Sequence, residues 1–150
     1  MKVGSGGGRE PREQAAKLVG NCQTCGSPCE GWAVQLTRDN RLRWELDWDC
    51  GACGTVSHDG DWGPSPDELR EKLLSQHGSY CLRLEDSRLH GGEILKVFRQ
   101  ALRVSLTEAQ QAARTLRRDG YEGTLVEAEL LRDQLQQEGI PSAVVRVAPD

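Results

Sequence analysis

The sequence predicts an α+β protein in which a small β-hairpin held together by cysteines is followed by an α/β unit. Two observations predict this division. Two Cys-x-x-Cys-Gly motifs, at residues 22–26 and 50–54, bracket a segment in which apolar and polar residues alternate as in β-strands. From Ser65 onward, apolar residues recur with helical spacing behind Ser and Thr residues of the kind that begin helices. With 150 residues, the chain has room for one ordinary domain or two small ones.

Composition narrows the functional classes. The formal net charge is −4, whereas proteins that grip phosphate backbones usually carry a basic excess. No apolar run approaches the roughly 20 residues that a membrane helix needs. The first ten residues, MKVGSGGGRE, lack the apolar centre of a secretory signal, and we expect residues 1–19 to form a flexible tail. These features predict a soluble cytoplasmic protein without a membrane partner.

Four of the six cysteines form two matched pairs, Cys22 with Cys25 and Cys50 with Cys53. The two-residue gap lets a tight turn point both sulfurs at one metal ion, and the following glycine tolerates a positive φ. The spacing therefore predicts a tetrahedral Zn²⁺ site of four thiolates. We expect this zinc to be structural, since four thiolates leave no position for water or substrate. A redox Cys-x-x-Cys pair is the alternative, but it would occur once, between a strand and a helix.

The other two cysteines have separate interpretations. Cys29 could replace Cys25 as a ligand through a Cys-x-x-x-Cys spacing, and this alternative stays open. Cys81 lies in an apolar stretch and is predicted to be a small buried core residue.

Two alternating strands and a polar turn at residues 38–41 predict the hairpin between the cysteine pairs. We expect one strand to turn its apolar positions Trp32, Val34 and Leu36 inward. The other strand should do the same with Leu42, Trp44, Leu46 and Trp48. The tryptophans Trp32, Trp44 and Trp48 are then the small core of the hairpin, although a surface for stacking nucleic-acid bases is the alternative. The outward positions Glu45, Asp47 and Asp49 form an acidic face that repels phosphate and is a candidate surface for a protein partner.

The paired cysteine motifs around a hairpin resemble a zinc ribbon over roughly residues 20–60. A unit this small buries little apolar surface, so the resemblance implies that metal binding supplies much of its stability.

The second half of the chain begins with a linker and short helix at residues 61–79, with a capping box at Ser65 and Glu68. A strand at residues 80–85, a helix at 92–102 and a closing strand at 143–147 follow from periodicity. Two further helices are predicted to begin at capping boxes, one at Thr107 with Gln110 and one at Thr124 with Glu127. The two strands should pair to bury the helices. Glu127 is also interpreted, with its acidic neighbours, as part of a solvated helix face.

Residues 94–99, Ile-Leu-Lys-Val-Phe-Arg, and 104–110, Val-Ser-Leu-Thr-Glu-Ala-Gln, resemble segments of the C-terminal domain of ribosomal protein L7/L12. The family has V-I-K-x-V-R and L-G-L-K-E-A-K there, and the resemblance covers about residues 80–148. It implies an α/β sandwich whose basic helix residues dock translation GTPases, and Lys96 and Arg99 match that pattern. Family lysine or glycine positions are changed at Gly91, Arg103, Ser105, Thr107 and Gln110. We therefore expect a remodelled docking face rather than a ribosomal stalk protein.

No catalytic constellation is evident. The histidines His58, His77 and His90 have no nucleophile partner at a recognisable spacing, and the glycine run at residues 4–8 follows no strand and opens no helix. The chain is therefore expected not to be an enzyme. The leading hypothesis is a zinc-binding protein–protein interaction module, an adaptor or an inhibitor such as an immunity protein that neutralises a toxin or nuclease. Its candidate partner-binding residues are Lys96, Arg99, Arg103, Glu45, Asp47 and Asp49.

The alternative is a regulator associated with nucleic acid or the ribosome. It would use the zinc ribbon together with arginines that cluster if the two helices at residues 92–102 and 107–119 pack side by side.

Overall fold

The computed structural model describes residues 12–86 and 91–148 and confirms the α+β class. The first four elements of the chain are strands, and the helices lie in the second half, mixed with three further strands. The elements are β1 (Glu13–Asn21), β2 (Pro28–Arg38), β3 (Arg41–Asp49), β4 (Val56–Trp62), α1 (Asp67–His77), β5 (Tyr80–Leu84), α2 (Gly91–Leu102), α3 (Leu106–Arg118), β6 (Tyr121–Gly123), α4 (Leu125–Gln137) and β7 (Ser142–Arg146). Among the described residues, no helix is long and apolar enough to cross a membrane.

The first sheet is a four-stranded antiparallel meander in the order β1-β2-β3-β4. The predicted hairpin is its centre, closed by a two-residue turn in which Asp39 and Asn40 both have positive φ. A flexible tail was expected for residues 1–19. Residues 1–11 lie outside the described residues, and the expectation is wrong from Glu13 onward, where β1 begins. Residues 13–21 pair along their whole length with β2, because Ala16 and Leu18 alternate with exposed residues and bury one face of an edge strand.

The register of β2 against β3 corrects the expectation for Trp32. Trp32 lies opposite Asp47, and Ala33 lies opposite Leu46, so Trp32 shares the outward face with the acidic residues. Ala33 and Gln35 are fully buried on the opposite face, whereas Trp32 is 49% exposed. We call the side that carries Trp32 and Asp47 the outer face, and the side that carries Ala33 and Gln35 the inner face.

The second sheet has the order β6-β5-β7, with both neighbours antiparallel to β5. The predicted pairing of the first and last strands is therefore confirmed. The short strand β6 was not expected, since three residues between two helices give too short a pattern to recognise.

A single apolar cluster joins the two sheets. It contains residues of α2, α3, α4 and β5, and Leu42 enters it from the inner face of the first sheet. Helix α1 closes the edge of β1: the amide of Gln76 donates to the carbonyl of Lys17 and accepts from its N–H, and the His77 ring contacts the carbonyl oxygen of Ala15. Because α1 packs on the sheet in this way, the expected linker region is part of the fold.

The helix starts are partly as predicted. Thr124 and Glu127 form the expected capping box of α4. The box predicted at Thr107 is wrong, because Ser105 caps α3 with Glu108 as its partner, two residues earlier. The box predicted at Ser65 is wrong too: Pro66 is the N-cap of α1, and the Ser65 hydroxyl instead accepts a hydrogen bond from Gln35.

Candidate metal centre

Two equivalent turns bring the cysteine pairs to one end of the first sheet. The first turn joins β1 to β2, where the N–H of Gly26 donates to the carbonyl of Cys22 at 2.8 Å. The second joins β3 to β4, where the N–H of Gly54 donates to the carbonyl of Cys50 at 2.8 Å. Both glycines have φ near 80°, 77° at Gly26 and 80° at Gly54, which an L side chain rarely adopts. The glycine after each motif is therefore required by the turn that aims the sulfurs.

The four sulfur atoms of Cys22, Cys25, Cys50 and Cys53 lie within 4.8 Å of one another. The Sγ–Sγ distances across the turns are 3.7 Å for Cys22 with Cys53 and 3.7 Å for Cys25 with Cys50. A tetrahedron with metal–sulfur bonds of ~2.3 Å has edges of ~3.8 Å, so the spacing fits one tetrahedral metal ion. All six cysteines lie within the described residues, and each is a free thiol. The cluster can therefore coordinate a metal ion.

The pKa values of these thiols differ with their surroundings. Backbone N–H groups of Cys25 and Thr24 lower the pKa of Cys22 to about 6, and Ser27 lowers the pKa of Cys25. At Cys50, backbone N–H groups of Cys53 and Ala52 also favour the thiolate, but burial and the neighbouring sulfurs outweigh them and raise the pKa to about 11. Four thiolates this close repel one another, so a cation among them is needed for all four to ionise at neutral pH.

Cys29 lies outside this cluster. It is half-buried on the inner face of β2, and its pKa is raised by burial and by the charges of Cys22 and Cys25. Cys81 is 7% exposed, as expected for a core residue.

The predicted partner-binding residues fall on two separate surfaces. Lys96, Arg99 and Arg103 are exposed along α2 and its C-terminal end, where they line a shallow pocket of about 580 Å³. Lys96 also pairs with Glu138 at 3.2 Å. Helix α2 belongs to the core that contacts the inner face of the first sheet, so this basic surface does not join the acidic one.

The acidic residues Glu45, Asp47 and Asp49 occupy alternate positions of β3 and therefore share the outer face. Asp47 makes a very short contact with the Nδ1 atom of His58, and this hydrogen bond raises the pKa of His58. Glu45 accepts from Arg43 at 3.2 Å. His77 contacts backbone at the β1 edge, and His90 lies outside the described residues.

A second polar cluster, which the sequence did not indicate, is buried between the two sheets. Its centre is Glu127, which is 2% exposed, so the interpretation of this residue as solvated is wrong. Its carboxylate accepts five hydrogen bonds, two of them from the guanidinium of Arg70 at 2.8 and 3.0 Å. The remaining donors are the side chains of Gln35 and Tyr121 and the backbone N–H of Thr124.

These contacts decide the protonation of Glu127. Burial alone would raise its pKa, but the hydrogen bonds and charge of Arg70 lower it below the ordinary range. Burial next to this carboxylate raises the pKa of Tyr121. The capping-box pattern at Thr124 did identify Glu127 as a residue that folds back on the helix start. Its partners Gln35 and Arg70 are 92 and 57 residues away, and no local pattern connects them.

Comparison with protein-family models finds no matching model, and comparisons with curated proteins and with solved structures find no match either. The class of protein therefore has to be inferred from the metal centre and the surfaces themselves.

Proposed function

We propose that this chain is a non-catalytic, zinc-stabilised protein-interaction module that works as an adaptor or as an inhibitor of one partner. The observation that carries the proposal is the cysteine cluster, whose sulfur spacing suits a tetrahedral ion. Four thiolates complete such a coordination sphere, so zinc would hold the sheet together and would offer no position for a substrate. The arrangement supports a zinc-ribbon assignment for the first sheet. The L7/L12-like assignment of the second half is part of the same proposal and draws support from the pairing of β5 with β7.

The buried carboxylate of Glu127 also supports a non-catalytic function. Glu127 is buried, yet its two oxygens already accept five hydrogen bonds within the described residues. A carboxylate engaged in this way is held ionised and has no free lone pair directed at a substrate. Its contacts fasten the sheets to each other, which is a structural task.

The specific form of the proposal is an inhibitor of a basic protein such as a nuclease or toxin. Three carboxylates at alternate positions of β3 give the outer face a negative field. Such a field accelerates encounter with a basic partner and favours docking over its positively charged cleft. The proposal places the protein in the reducing cytoplasm, where thiolates persist.

Native mass spectrometry of the protein purified from its own host without a chelator tests this proposal. We expect one zinc ion per chain and a protein partner at fixed stoichiometry. The Cys50→Ser variant is the matched control for the metal, since it removes one ligand of the cluster. A wild-type protein with well under one equivalent of zinc, or one that carries no protein partner, would contradict the proposal.

One observation favours a nucleic-acid regulator as a second candidate: Lys96, Arg99 and Arg103 line a single shallow pocket. Phosphates could bind there even though the outer face repels them. Salt-sensitive retention on heparin or RNA, lost when Arg99 and Arg103 are replaced by Ser, would favour this candidate. Absence of any shift of RNA or DNA at low salt would exclude it.

A further inference from the structure

Three large apolar side chains are exposed at the cysteine end of the outer face. Val19 is 78% exposed, Val56 is 71% exposed and Trp32 is 49% exposed. They belong to three different strands, β1, β4 and β2. An apolar side chain exposed singly is ordinary, but three on one sheet face beside a groove mark a surface for contact with another molecule.

The strand register shows how these side chains are arranged. One row across the sheet reads Val19, Glu30, Asp49 and Val56, and the neighbouring row reads Lys17, Trp32, Asp47 and His58. Adjacent strands lie about 4.8 Å apart, so the first row spans about 14 Å from Val19 to Val56. Apolar groups thus flank two central carboxylates, and Trp32 lies one row further along the sheet.

A groove of about 810 Å³ lies at this place, and its walls include Val19, Trp32 and Val56 as well as Glu30 and Asp49. Lys17 pairs with Glu30 at 3.2 Å, and His58 contacts Asp47. Within the described part of the chain, Asp49 makes no salt bridge. The negative charge of the groove is therefore only partly compensated.

We propose that this groove, which we call the outer-face groove, binds a segment of a protein partner in which lysine or arginine flanks an aliphatic side chain. The inference rests on the proposed function and specifies its surface and the chemistry of its partner. The aliphatic side chain packs between Trp32 and Val19, which lie on the neighbouring strands β2 and β1, and the cations lie against Glu30, Asp47 and Asp49. Tryptophan suits the centre of such an interface, because its large rigid ring buries much area and attracts a guanidinium to its face.

Charge complementarity decides the class of partner. Carboxylates along the groove repel phosphates, so RNA and DNA are disfavoured at this surface. A basic peptide segment is attracted by the same charges, and its encounter rate rises at low ionic strength. The two surfaces should therefore bind ligands of opposite charge: the groove attracts cations, whereas the basic pocket on α2 attracts anions.

The metal centre holds this surface in shape. β1 ends at Asn21 directly before Cys22, and β3 ends at Asp49 directly before Cys50. Val19, Asp49 and Val56 therefore lie within three residues of a metal-binding cysteine. Loss of the metal should disorganise the groove before it affects the helices.

The test uses fluorescence anisotropy of a labelled synthetic peptide that alternates basic residues with leucine, titrated with the zinc-loaded full chain at low salt. We expect binding in the micromolar range. Trp32→Ser should weaken it at least tenfold, and the double variant Glu30→Gln, Asp49→Asn should do the same. The controls are Leu106→Ser, which removes an equally exposed apolar side chain on α3, and Glu68→Gln with Glu71→Gln, which neutralises exposed charges on α1. Both controls should bind as the wild type does.

Several outcomes would overturn the inference. Equal binding of a peptide with serine in place of leucine would show attraction by charge alone. Equal losses in the control variants would show that no particular surface is used. A wild-type dimer in sedimentation that Trp32→Ser dissociates would assign the groove to a second copy of this chain, and RNA that competes for the groove would assign it to nucleic acid.

The inference and the proposed function can fail separately. A native partner whose binding is unaffected by Trp32→Ser would support the proposed interaction module but would show that the outer-face groove is not its binding surface. Conversely, suppose that a protein with less than one equivalent of zinc binds the peptide and that this binding depends on Trp32. This result would support the outer-face groove as a binding surface and would contradict the zinc-stabilised module.

Discussion

The first sheet is held at its two ends by different kinds of chemistry. At the cysteine end, four thiols from two local turns converge on a space that suits one metal ion. At the other end, the carboxylate of Glu127 accepts hydrogen bonds from Gln35 of the sheet and from Arg70 of α1. The amide of Gln134 on α4 also donates to the carbonyl of Asn40 in the hairpin turn, at 3.1 Å.

The difference between the ends lies in how each is assembled. Each half of the cysteine end consists of residues only a few positions apart, so it forms as soon as its turn forms. The Glu127 end needs β2, α1 and α4 to be in place together. We therefore expect the cysteine end to depend on metal and the other end to depend on complete folding of both sheets.

The largest expected effect is the loss of one cysteine ligand. Cys50→Ser should lower the free energy of unfolding of the cysteine end by about 5 kcal/mol or more, since small sites of this kind derive about 10–16 kcal/mol from zinc. Hydrogen exchange should show lost protection in β1–β4 near the turns and retained protection in α2–α4. Cys29→Ser is the control and should keep one equivalent of metal. Equal hydrogen exchange in both variants would show that a metal ion does not stabilise the cysteine end.

The next effect is expected at the Glu127 end. Glu127→Gln removes the negative charge that compensates Arg70 and should cost about 3 kcal/mol. This is the lower end for a broken buried pair, because the Arg70 side chain is still 32% exposed. Urea unfolding measures it. Glu138→Gln, which breaks the exposed pair with Lys96, is the matched control and should cost less than about 1 kcal/mol. Similar costs for both variants would show that the buried network contributes little.

A smaller effect is expected from packing at the cysteine end without any change of ligand. A Cβ atom on Gly31 would meet the backbone oxygen of Asp47 and lie 2.8 Å from the ring of Trp48. Gly31→Ala should therefore cost about 1–3 kcal/mol in thermal or urea unfolding. Gly51→Ala is the control, because nothing lies within 4 Å of a Cβ there. A neutral Gly31→Ala would mean that the backbone at Asp47 and the ring of Trp48 both move aside at little cost.

The two ends should respond to acid in different ranges. Cys50 has its pKa raised to about 11 and keeps its proton at pH 7, so zinc binding must release it. Zinc affinity should fall as the pH falls, by about tenfold per pH unit for each proton that zinc displaces, and protonation of Cys22 adds to this loss below about pH 6. Calorimetry in two buffers of different ionisation enthalpy counts these protons.

The Glu127 end should stay folded to a lower pH than the cysteine end. Because the folded pKa of Glu127 is lowered, its contribution is complete above the unfolded value of about 4.3 and is lost as the pH falls through the folded value. Acid unfolding of the helices above pH 5 in zinc-loaded protein would contradict this order.

The smallest effect concerns the exposed pair on the outer face. Asp47→Asn should return the pKa of His58 toward its ordinary value of about 6.5, since the hydrogen bond that the imidazole donates to the Asp47 carboxylate is the main cause of the raised pKa. An NMR titration of the imidazole measures this shift. The free energy of unfolding should stay unchanged, because both side chains are exposed. An unchanged pKa would mean that the two side chains do not pair in solution.

The sequence by itself determined several features that depend on short spacing, although the capping boxes expected at Ser65 and Thr107 do not form. The positions of Cys22, Cys25, Cys50 and Cys53, the hairpin turn and the capping box at Thr124 all follow from residues a few positions apart. Such patterns specify their own geometry, because a turn or a helix start needs particular residues at fixed offsets.

Only the tertiary structure decided which residues meet across the chain. Trp32 lies on the outer face and not in the expected core, because it pairs with Asp47 and side chains alternate along a strand. The burial of Glu127 likewise follows from Gln35 and Arg70, which α1 and β2 bring to α4. For Trp32 and Glu127, packing between distant elements decided whether the residue is core or surface, and the local sequence patterns did not indicate the outcome.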